Sequence, residues 1–260
     1  MDPVTCERAA REVASARLAK RRLGRLEGVE TIDDGYAVQA AANRRLAPVL
    51  GRVAGHKIGG TTERMRAFIH ADRPIAGEIF ATTVHRSGVR LRFSDVVRPG
   101  IETEIAVRLA ADLGPEGAPW TRETVAARVA ALMPAIEIVD NRYNDHESVG
   151  APTIVADNAF NAASILGPES RDWRRFDLAG LRARTIIGGR IVAEDRSSML
   201  MGHPFEALAW LANEMVRLGR CLQAGAFVSL GTITAAQWPT RPAQVRIEIE
   251  RLGEVELQLV

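Results

Sequence analysis

The chain has 260 residues, 47% hydrophobic and 25% charged, with a formal net charge of +2. This is the composition of an ordinary globular protein, and it carries no basic footprint for nucleic acid or an anionic membrane. No run of about 18 or more apolar residues is present, so no membrane span is expected. The N-terminal stretch is charged throughout and lacks the apolar core of a signal peptide. Cys6 and Cys221 are the two cysteines and stand far apart, which fits a reducing cytoplasm.

Residues 3–22 read as a helix, with Asp2 able to cap it and Pro3 suited to its first turn. Gly24 and Gly28 then loosen the chain. Thr31-Ile32-Asp33-Asp34 has capping-box form, with Asp in place of the usual Glu, and opens a second helix to about Arg45. Tyr36 and Gln39 share a face of it. These helices predict an N-terminal helical layer over residues 1–50. Residues 52–58 read as a short strand broken by Gly59-Gly60, and Thr61 or Thr62 caps a helix to about Ile69.

Strands are expected over 78–84, 90–93 and 101–109, joined through Ser87-Gly88 and Pro99-Gly100. A helix of about ten residues starts at Thr121 and ends before Pro134. A strand over 135–140, a polar loop over 141–160 and a strand over 161–166 follow. Residues 185–192 form a hairpin on Gly188-Gly189. Residues 204–222 are an amphipathic helix with Leu208, Leu211, Met215 and Leu218 on one stripe. After a strand over 226–233, the last hairpin pairs 244–251 with 254–260. Its alternation sets Val245, Ile247 and Ile249 against Arg246, Glu248 and Glu250. No linker separates two cores, so 1–260 reads as one domain with a β-rich body over 51–260.

The chemistry concentrates in Ile101-Glu102-Thr103-Glu104-Ile105. In a strand, residues two apart share a face, so Glu102 and Glu104 stand side by side. Two carboxylates held that close repel unless solvated, protonated or neutralised by a cation. A third, Glu137, sits within Ala135-Ile136-Glu137-Ile138-Val139. Three oxygen ligands from two strands suit a hard divalent cation such as Mg²⁺ or Mn²⁺. The same spacing equally fits the wet face of a half-exposed strand. Of the 34 basic residues only Lys20 and Lys57 are lysines. A lysine kept where Arg is the rule points to a position that wants an amine able to lose its proton. Lys20 lies in a basic run and reads as solubility.

Seven segments now fall in a recognisable order. They are Tyr36-Ala37-Val38-Gln39, Gly55-His56-Lys57-Ile58-Gly59, Ile101-Glu102-Thr103-Glu104-Ile105-Ala106 and Pro134-Ala135-Ile136-Glu137-Ile138-Val139-Asp140. After them come Ala156-Asp157-Asn158-Ala159, then Gly202-His203-Pro204 with Ala209-Trp210-Leu211-Ala212-Asn213, and Gly231-Thr232. Over nearly its whole length the chain resembles the 2-keto-4-pentenoate hydratase / 4-oxalocrotonate decarboxylase family, within the fumarylacetoacetate hydrolase superfamily.

The resemblance implies an α+β fold. It is a mixed, curved β-roll or barrel of the fumarylacetoacetate hydrolase C-terminal type, with N-terminal and peripheral helices. It implies a Mg²⁺ or Mn²⁺ site at Glu102, Glu104 and Glu137, where a 2-oxo acid chelates. Lys57 would move a proton on the dienol or dienolate, or hold that anion by charge. Thr232 would bond the substrate carboxylate or, as readily, satisfy a turn. Asp140, Arg142, Asp157 and Asn158 would cluster behind the direct contacts. His56 would face away from the site, His203-Pro204 would start the long helix, and Trp210 would be core.

Two departures stand out. Ile75 occupies the usual acidic place in Asp72-Arg73-Pro74-Ile75-Ala76-Gly77, and Phe160 replaces the usual Ser after Ala159. If both line the pocket, they favour an apolar tail on the substrate. Glu78 is the nearest carboxylate that could replace the missing acid. The expected activity is that of a divalent-metal-dependent lyase on small 2-oxo or 2-hydroxydienoic acids, most like a 2-keto-4-pentenoate hydratase of aromatic catabolism. The alternatives are a 4-oxalocrotonate-type decarboxylase, an acylpyruvate C–C hydrolase, and a non-catalytic partner subunit. A homo-oligomer is expected, alone or associated with a related decarboxylase or hydratase.

Overall fold

The computed structural model describes residues 1–144 and 149–260. Two helices open the chain, α1 (Pro3–Leu18) and α2 (Ile32–Leu50). Asp2 accepts from Val4 and Thr5 N–H, each at 3.0 Å, to cap α1. Thr31 and Asp34 form the reciprocal capping box of α2. The small faces Ala9, Ala10 and Val13 of α1 and Val38, Ala41 and Ala42 of α2 pack together.

The body contains two mixed sheets. The larger orders its strands β2 (Ile75–Phe80), β1 (Val53–Gly59), β10 (Phe227–Thr232), β5 (Pro99–Leu109), β6 (Val129–Asp140), β7 (Asn161–Leu166) and β3 (Val84–Arg86). The smaller orders β4 (Val89–Leu91), β12 (Gly253–Leu259), β11 (Ala243–Ile249), β8 (Arg182–Ile187) and β9 (Arg190–Arg196). The larger sheet curls: β2 and β7 touch although four strands lie between them. One of its faces, with Ile101, Ile105, Ile136 and Ile138, shares a core with Val245, Ile247, Val255 and Leu257 of the smaller sheet. Thr103 faces that core too, its hydroxyl 2.6 Å from that of Thr185. By alternation Glu102 and Glu104 are turned to the other, concave face.

Among the described residues the other α-helices are α3 (Glu63–Phe68), α4 (Arg122–Ala126), α5 (Gly150–Ala156) and α6 (Pro204–Arg217). Helix α2 lies along the open edge of β2. Ala76 N–H donates to the Tyr36 hydroxyl at 2.9 Å, and the Gln39 amide donates to Ala76 O at 2.9 Å and to Val155 O at 2.8 Å. Two side chains thus stand where another strand would pair. Among the described residues no helix is long and apolar enough to cross a membrane.

Several expected boundaries move, each for a local reason. Strand β2 begins at Ile75, not 78, because Gly59 pairs with Ile75 and the ladder starts there. Helix α4 is one turn, and Pro134 lies inside β6. Pro134 O accepts from Gly167 N–H at 2.9 Å, just past the end of β7, so its missing N–H falls where the neighbouring strand is ending. The segment read as a loop over 141–160 contains α5, whose Pro152 sits in the first turn, where a proline is tolerated. Residues 145–148 of that segment lie outside the described residues. Helix α6 stops at 217 rather than 222. Gly219, at φ 69°, closes it, and Arg220 N–H reaches back to Met215 O at 2.8 Å.

Candidate active site

Strands β5 and β6 run antiparallel with Glu102 directly opposite Glu137. Glu104 follows two residues along the same face. One oxygen from each of the three carboxylates lies within 4.8 Å of the others. Glu104 and Glu137 are fully buried and Glu102 is partly exposed. The wet-face alternative therefore does not describe this strand pair.

Strand β1 reaches the same face from across β10. Lys57, 3% exposed, places its ammonium 3.2 Å from Glu137 Oε2 and donates to Ala159 O at 3.2 Å. The other Glu137 oxygen accepts from the Asn161 amide at 2.9 Å. The Ser229 hydroxyl donates to Glu104 Oε2. Glu104 Oε1 is buried with no hydrogen-bond partner. A buried carboxylate oxygen left bare is costly, and a cation is what would satisfy it.

The charges respond to this crowding. Burial first, and Glu137 beyond it, push Glu102 up to about 7, despite Lys57. Burial, Glu137 and Glu102 raise Glu104 well above the usual carboxylate range. Burial would lower Lys57, but Glu137, Glu102 and Glu104 outweigh it and hold its pKa above the ordinary value. Three acids and one ammonium leave an excess of negative charge, so the cluster either binds protons or takes a cation. The donor set is all carboxylate oxygen, which fits a hard cation such as Mg²⁺ or Mn²⁺.

The remaining residues singled out by sequence divide by face. Ile75 shares the face of Lys57: a Cβ at Gly59 would lie 3.1 Å from Ile75 Cγ1 and 3.8 Å from Lys57 Nζ. Thr232 pairs with Glu104 in register, and its hydroxyl donates to Thr234 O at 2.8 Å. Phe160 is partly buried, its ring 5.4 Å from that of Tyr143. His56 and Glu78 pair across β1 and β2 on the reverse face. Glu78 there accepts from Asn43 at 2.8 Å and Arg220 at 3.1 Å, so it does not replace the acid missing at Ile75. Burial pushes the His56 imidazole down to about 4, against the pull of Glu78.

Asp140, Arg142 and Asp157 form one buried network. Arg142 donates to Asp157 and, at 3.3 Å, to Asp140 Oδ2. Asp140 Oδ1 accepts from Val97 and Arg98 N–H at 2.8 and 2.9 Å. Asn158 bonds the backbone of Glu78. Sequence reasoning missed Asn161, Ser229 and the Ala159 carbonyl. Ser229 had a signal, a hydroxyl between apolar Val228 and Leu230 in strand β10, and it stands beside Lys57 in register. A backbone carbonyl leaves no signal in residue type.

Residues 64–260 match the family model described as fumarylacetoacetate (FAA) hydrolase C-terminal. The chain is 33% identical over 220 residues to a 2-keto-4-pentenoate hydratase of Burkholderia vietnamiensis, covering 85% of this chain and 83% of that protein. It is 29% identical over 230 residues to a 4-oxalocrotonate decarboxylase of Pseudomonas putida, covering 88% and 86%. Among solved structures, the 4-oxalocrotonate decarboxylase from Pseudomonas putida G7, complexed with magnesium and adipate, superposes with a TM-score of 0.93. That match covers 100% of this chain and 99% of the other at 26% identity.

Proposed function

Because this chain belongs to the fumarylacetoacetate hydrolase family, we propose that it is a divalent-metal-dependent lyase acting on small 2-oxo or 2-hydroxydienoic acids. Within that class the reading is a 2-keto-4-pentenoate hydratase-like enzyme of aromatic catabolism. The observation that carries it is the convergence of Glu102, Glu104 and Glu137 on one buried point with Lys57 against them. Glu102, Glu104 and Glu137 would hold Mg²⁺ or Mn²⁺, which supplies electrostatic stabilisation to an enolate of the 2-oxo acid.

The chain's own residues do the rest. Ser229 and Asn161 fix the carboxylates of Glu104 and Glu137. Lys57 holds or moves a proton on the dienol, and its charge favours the anion. Thr232, beside Glu104, gives its hydroxyl proton to Thr234 O, and would bond the substrate carboxylate only by turning away from that carbonyl. Asp140, Arg142, Asp157 and Asn158 stand behind and orient the strand ends. Ile75 beside Lys57 supplies an apolar wall, and Phe160 extends it, so substrates with an apolar tail are preferred. Two or three buried methylenes at about 0.8 kcal/mol each give roughly a tenfold to hundredfold preference.

A second reading, decarboxylation of a 4-oxalocrotonate-type acid, is supported by the full-length likeness to the decarboxylase. Both readings take a small 2-oxo acid, and both place the chain in a cytoplasm, consistent with free Cys6 and Cys221. We further propose one folding unit, 1–260, in which residues 1–50 add a helical layer to the metal-binding β-roll of 51–260. It would act as a homo-oligomer, alone or with a related hydratase or decarboxylase.

The test is turnover of the purified chain in Mg²⁺ on a 2-hydroxydienoate, a 2-oxo-3-enedioate and an acylpyruvate. Hydration of the dienoate supports the first reading, and CO₂ release from the enedioate the second. Cleavage of the acylpyruvate alone would overturn both. Turnover of none would leave a non-catalytic partner subunit.

A further inference from the structure

The turn after α5 is built against backbone preference. Asn158, Ala159 and Phe160 are successive non-glycine residues at φ 56°, 48° and 63°. Side chains disfavour that left-handed region, and a run of three persists only where surrounding contacts fix it. Those contacts are present on both sides. Upstream, Glu78 N–H donates to Asn158 Oδ1 at 2.8 Å, and Asn158 Nδ2 donates to Glu78 O at 2.6 Å. Asp157, just before, is held by Arg142. Downstream, Phe160 N–H closes the turn on Asp157 O at 3.1 Å, and Asn161 holds Glu137.

The two hydrogen bonds between Asn158 and the backbone of Glu78 continue what Tyr36 and Gln39 do at Ala76. Ala76 and Glu78 are alternate residues on the open edge of β2, and side chains satisfy both of their outward N–H and C=O groups. At Glu78, however, the side chain that completes the edge also starts the left-handed turn. That turn presents the Ala159 carbonyl to Lys57 Nζ at 3.2 Å. Gly77 makes the approach possible: a Cβ there would lie 2.8 Å from Asn158 O and 3.2 Å from Lys57 Cγ.

We propose that Asn158 is a positioning residue for Lys57: by pairing with the edge of β2 it holds the turn whose Ala159 carbonyl fixes the lysine amine. The proposal rests on Lys57 being the proton-moving residue of the function given above. An ammonium has three N–H donors on a flexible four-carbon stem. Ala159 O takes one of them, and Glu137 Oε2 at 3.2 Å holds the ammonium by charge, so the remaining donors are confined to the side of a reacting anion. With the carbonyl displaced, the amine would spread over other rotamers, and small displacements of a reacting group are expensive in rate.

The experiment compares Asn158→Ala, Asn158→Gly and Asn158→Asp with the parent chain in Mg²⁺. Asn158→Ala and Asn158→Gly should both lose about tenfold to hundredfold in kcat, with KM and Mg²⁺ affinity nearly unchanged. Asn158→Asp keeps the acceptor for Glu78 N–H and should lose less. If Asn158 matters only because it tolerates a left-handed backbone, glycine will serve as well, and a parental kcat in Asn158→Gly overturns the proposal.

A second readout does not need turnover. Lys57 and Lys20 are the two lysines of the chain, so acylation by an amine-selective reagent, read by mass spectrometry, uses exposed Lys20 as its internal reference. The Lys57-to-Lys20 ratio should rise severalfold in Asn158→Ala and Asn158→Gly and less in Asn158→Asp. If the parent turns over no substrate, the functional reading fails while this ratio still decides the positioning. If Asn158→Ala fails to fold, Asn158→Asp carries the comparison. An unchanged ratio in a folded variant overturns the proposal.

Discussion

The two sheets put their charges in opposite places. In β11 and β12, Val245, Ile247, Ile249, Val255, Leu257 and Leu259 are buried, while Arg246, Glu248 and Glu254 sit outside in pairs of 3.1 and 3.6 Å. In β5 and β6 the regular alternation fails, and Glu104 and Glu137 are buried beside Lys57. Surface pairs contribute little to stability. Buried carboxylates whose charge is not matched oppose folding. The smaller sheet thus keeps the ordinary dry-inside, wet-outside pattern, whereas the larger keeps groups that work against folding. Such a conflict between folding and side-chain chemistry is expected where a site is built.

The sharpest way to test that contrast is Lys57→Met. It removes the amine, keeps the stem's bulk, and should lower kcat by about 10²- to 10⁴-fold, the range for a positioned proton-transfer group. Calorimetric titration with Mg²⁺ should show affinity nearly intact, because the carboxylates remain. Unchanged kcat would remove Lys57 from the chemistry.

The carboxylates predict a stability profile that the smaller sheet cannot produce. Burial pushes the Glu102 carboxyl up to about 7 in the folded chain, from an ordinary value of 4.5. A carboxyl whose pKa is raised on folding favours the folded state below its unfolded pKa, and that advantage is lost as pH rises through the folded value. Without metal, Tm should therefore fall between pH 4.5 and about 7, and Glu104, raised in the same direction, should deepen the loss. Saturating Mg²⁺ should reverse the slope, because the ligands must lose protons to bind it. Glu104→Gln should raise the metal-free Tm near pH 8 and sharply weaken Mg²⁺ binding. A Tm independent of pH and of Mg²⁺ in the parent would show that the three acids neither repel nor bind.

The same contrast explains what could be read from residues alone. The hairpin of β11 and β12 was legible because one face is dry and the other wet, so the period of two appears directly. Glu137 was legible as a violation of an apolar pattern, whereas the spacing of Glu102 and Glu104 fitted a wet strand face equally well, and the family resemblance decided between the two readings. Pro134 misled because a proline inside a strand is tolerated where no neighbour needs its N–H, and here that depends on where β7 ends, which is a tertiary fact. Asn161 was missed because an amide at a strand start looks like loop chemistry until its partner, Glu137, is known. The use of Tyr36 and Gln39 at the edge of β2 was equally hidden. Their spacing shows a shared helix face but not what the face meets.

That edge supplies a smaller prediction. Tyr36→Phe leaves the buried Ala76 N–H without its acceptor, and Gln39→Leu leaves Ala76 O and Val155 O without their donor. An orphaned buried polar group costs about 1–3 kcal/mol, so denaturant titration should show losses of that size for each. Metal affinity should change much less, since neither side chain touches the carboxylates. A loss of Mg²⁺ binding equal to that of a carboxylate variant would show that the edge and the site are one cooperative unit.

The smallest effect should come from the open edge of the smaller sheet. Strand β9 has no neighbour beyond it among the described residues, and Ile191 and Val192 are 55% and 44% exposed there. Arg184 and Glu194 pair across β8 and β9 in solvent. The pair raises Arg184 and lowers Glu194 from their ordinary values, chiefly through their mutual hydrogen bond. Water and salt screen such a contact, and holding two long side chains together opposes it. Arg184→Ala and Glu194→Ala should therefore leave Tm, kcat and Mg²⁺ affinity unchanged within error at moderate salt. If the chain self-associates through this edge, as exposed apolar residues on an unpaired strand allow, the same variants would instead shift Tm in a manner dependent on protein concentration. Measuring Tm across a wide concentration range separates the two cases. A concentration-independent loss as large as that of Gln39→Leu would mean that the smaller sheet also depends on its charges, and the contrast between the sheets would fall.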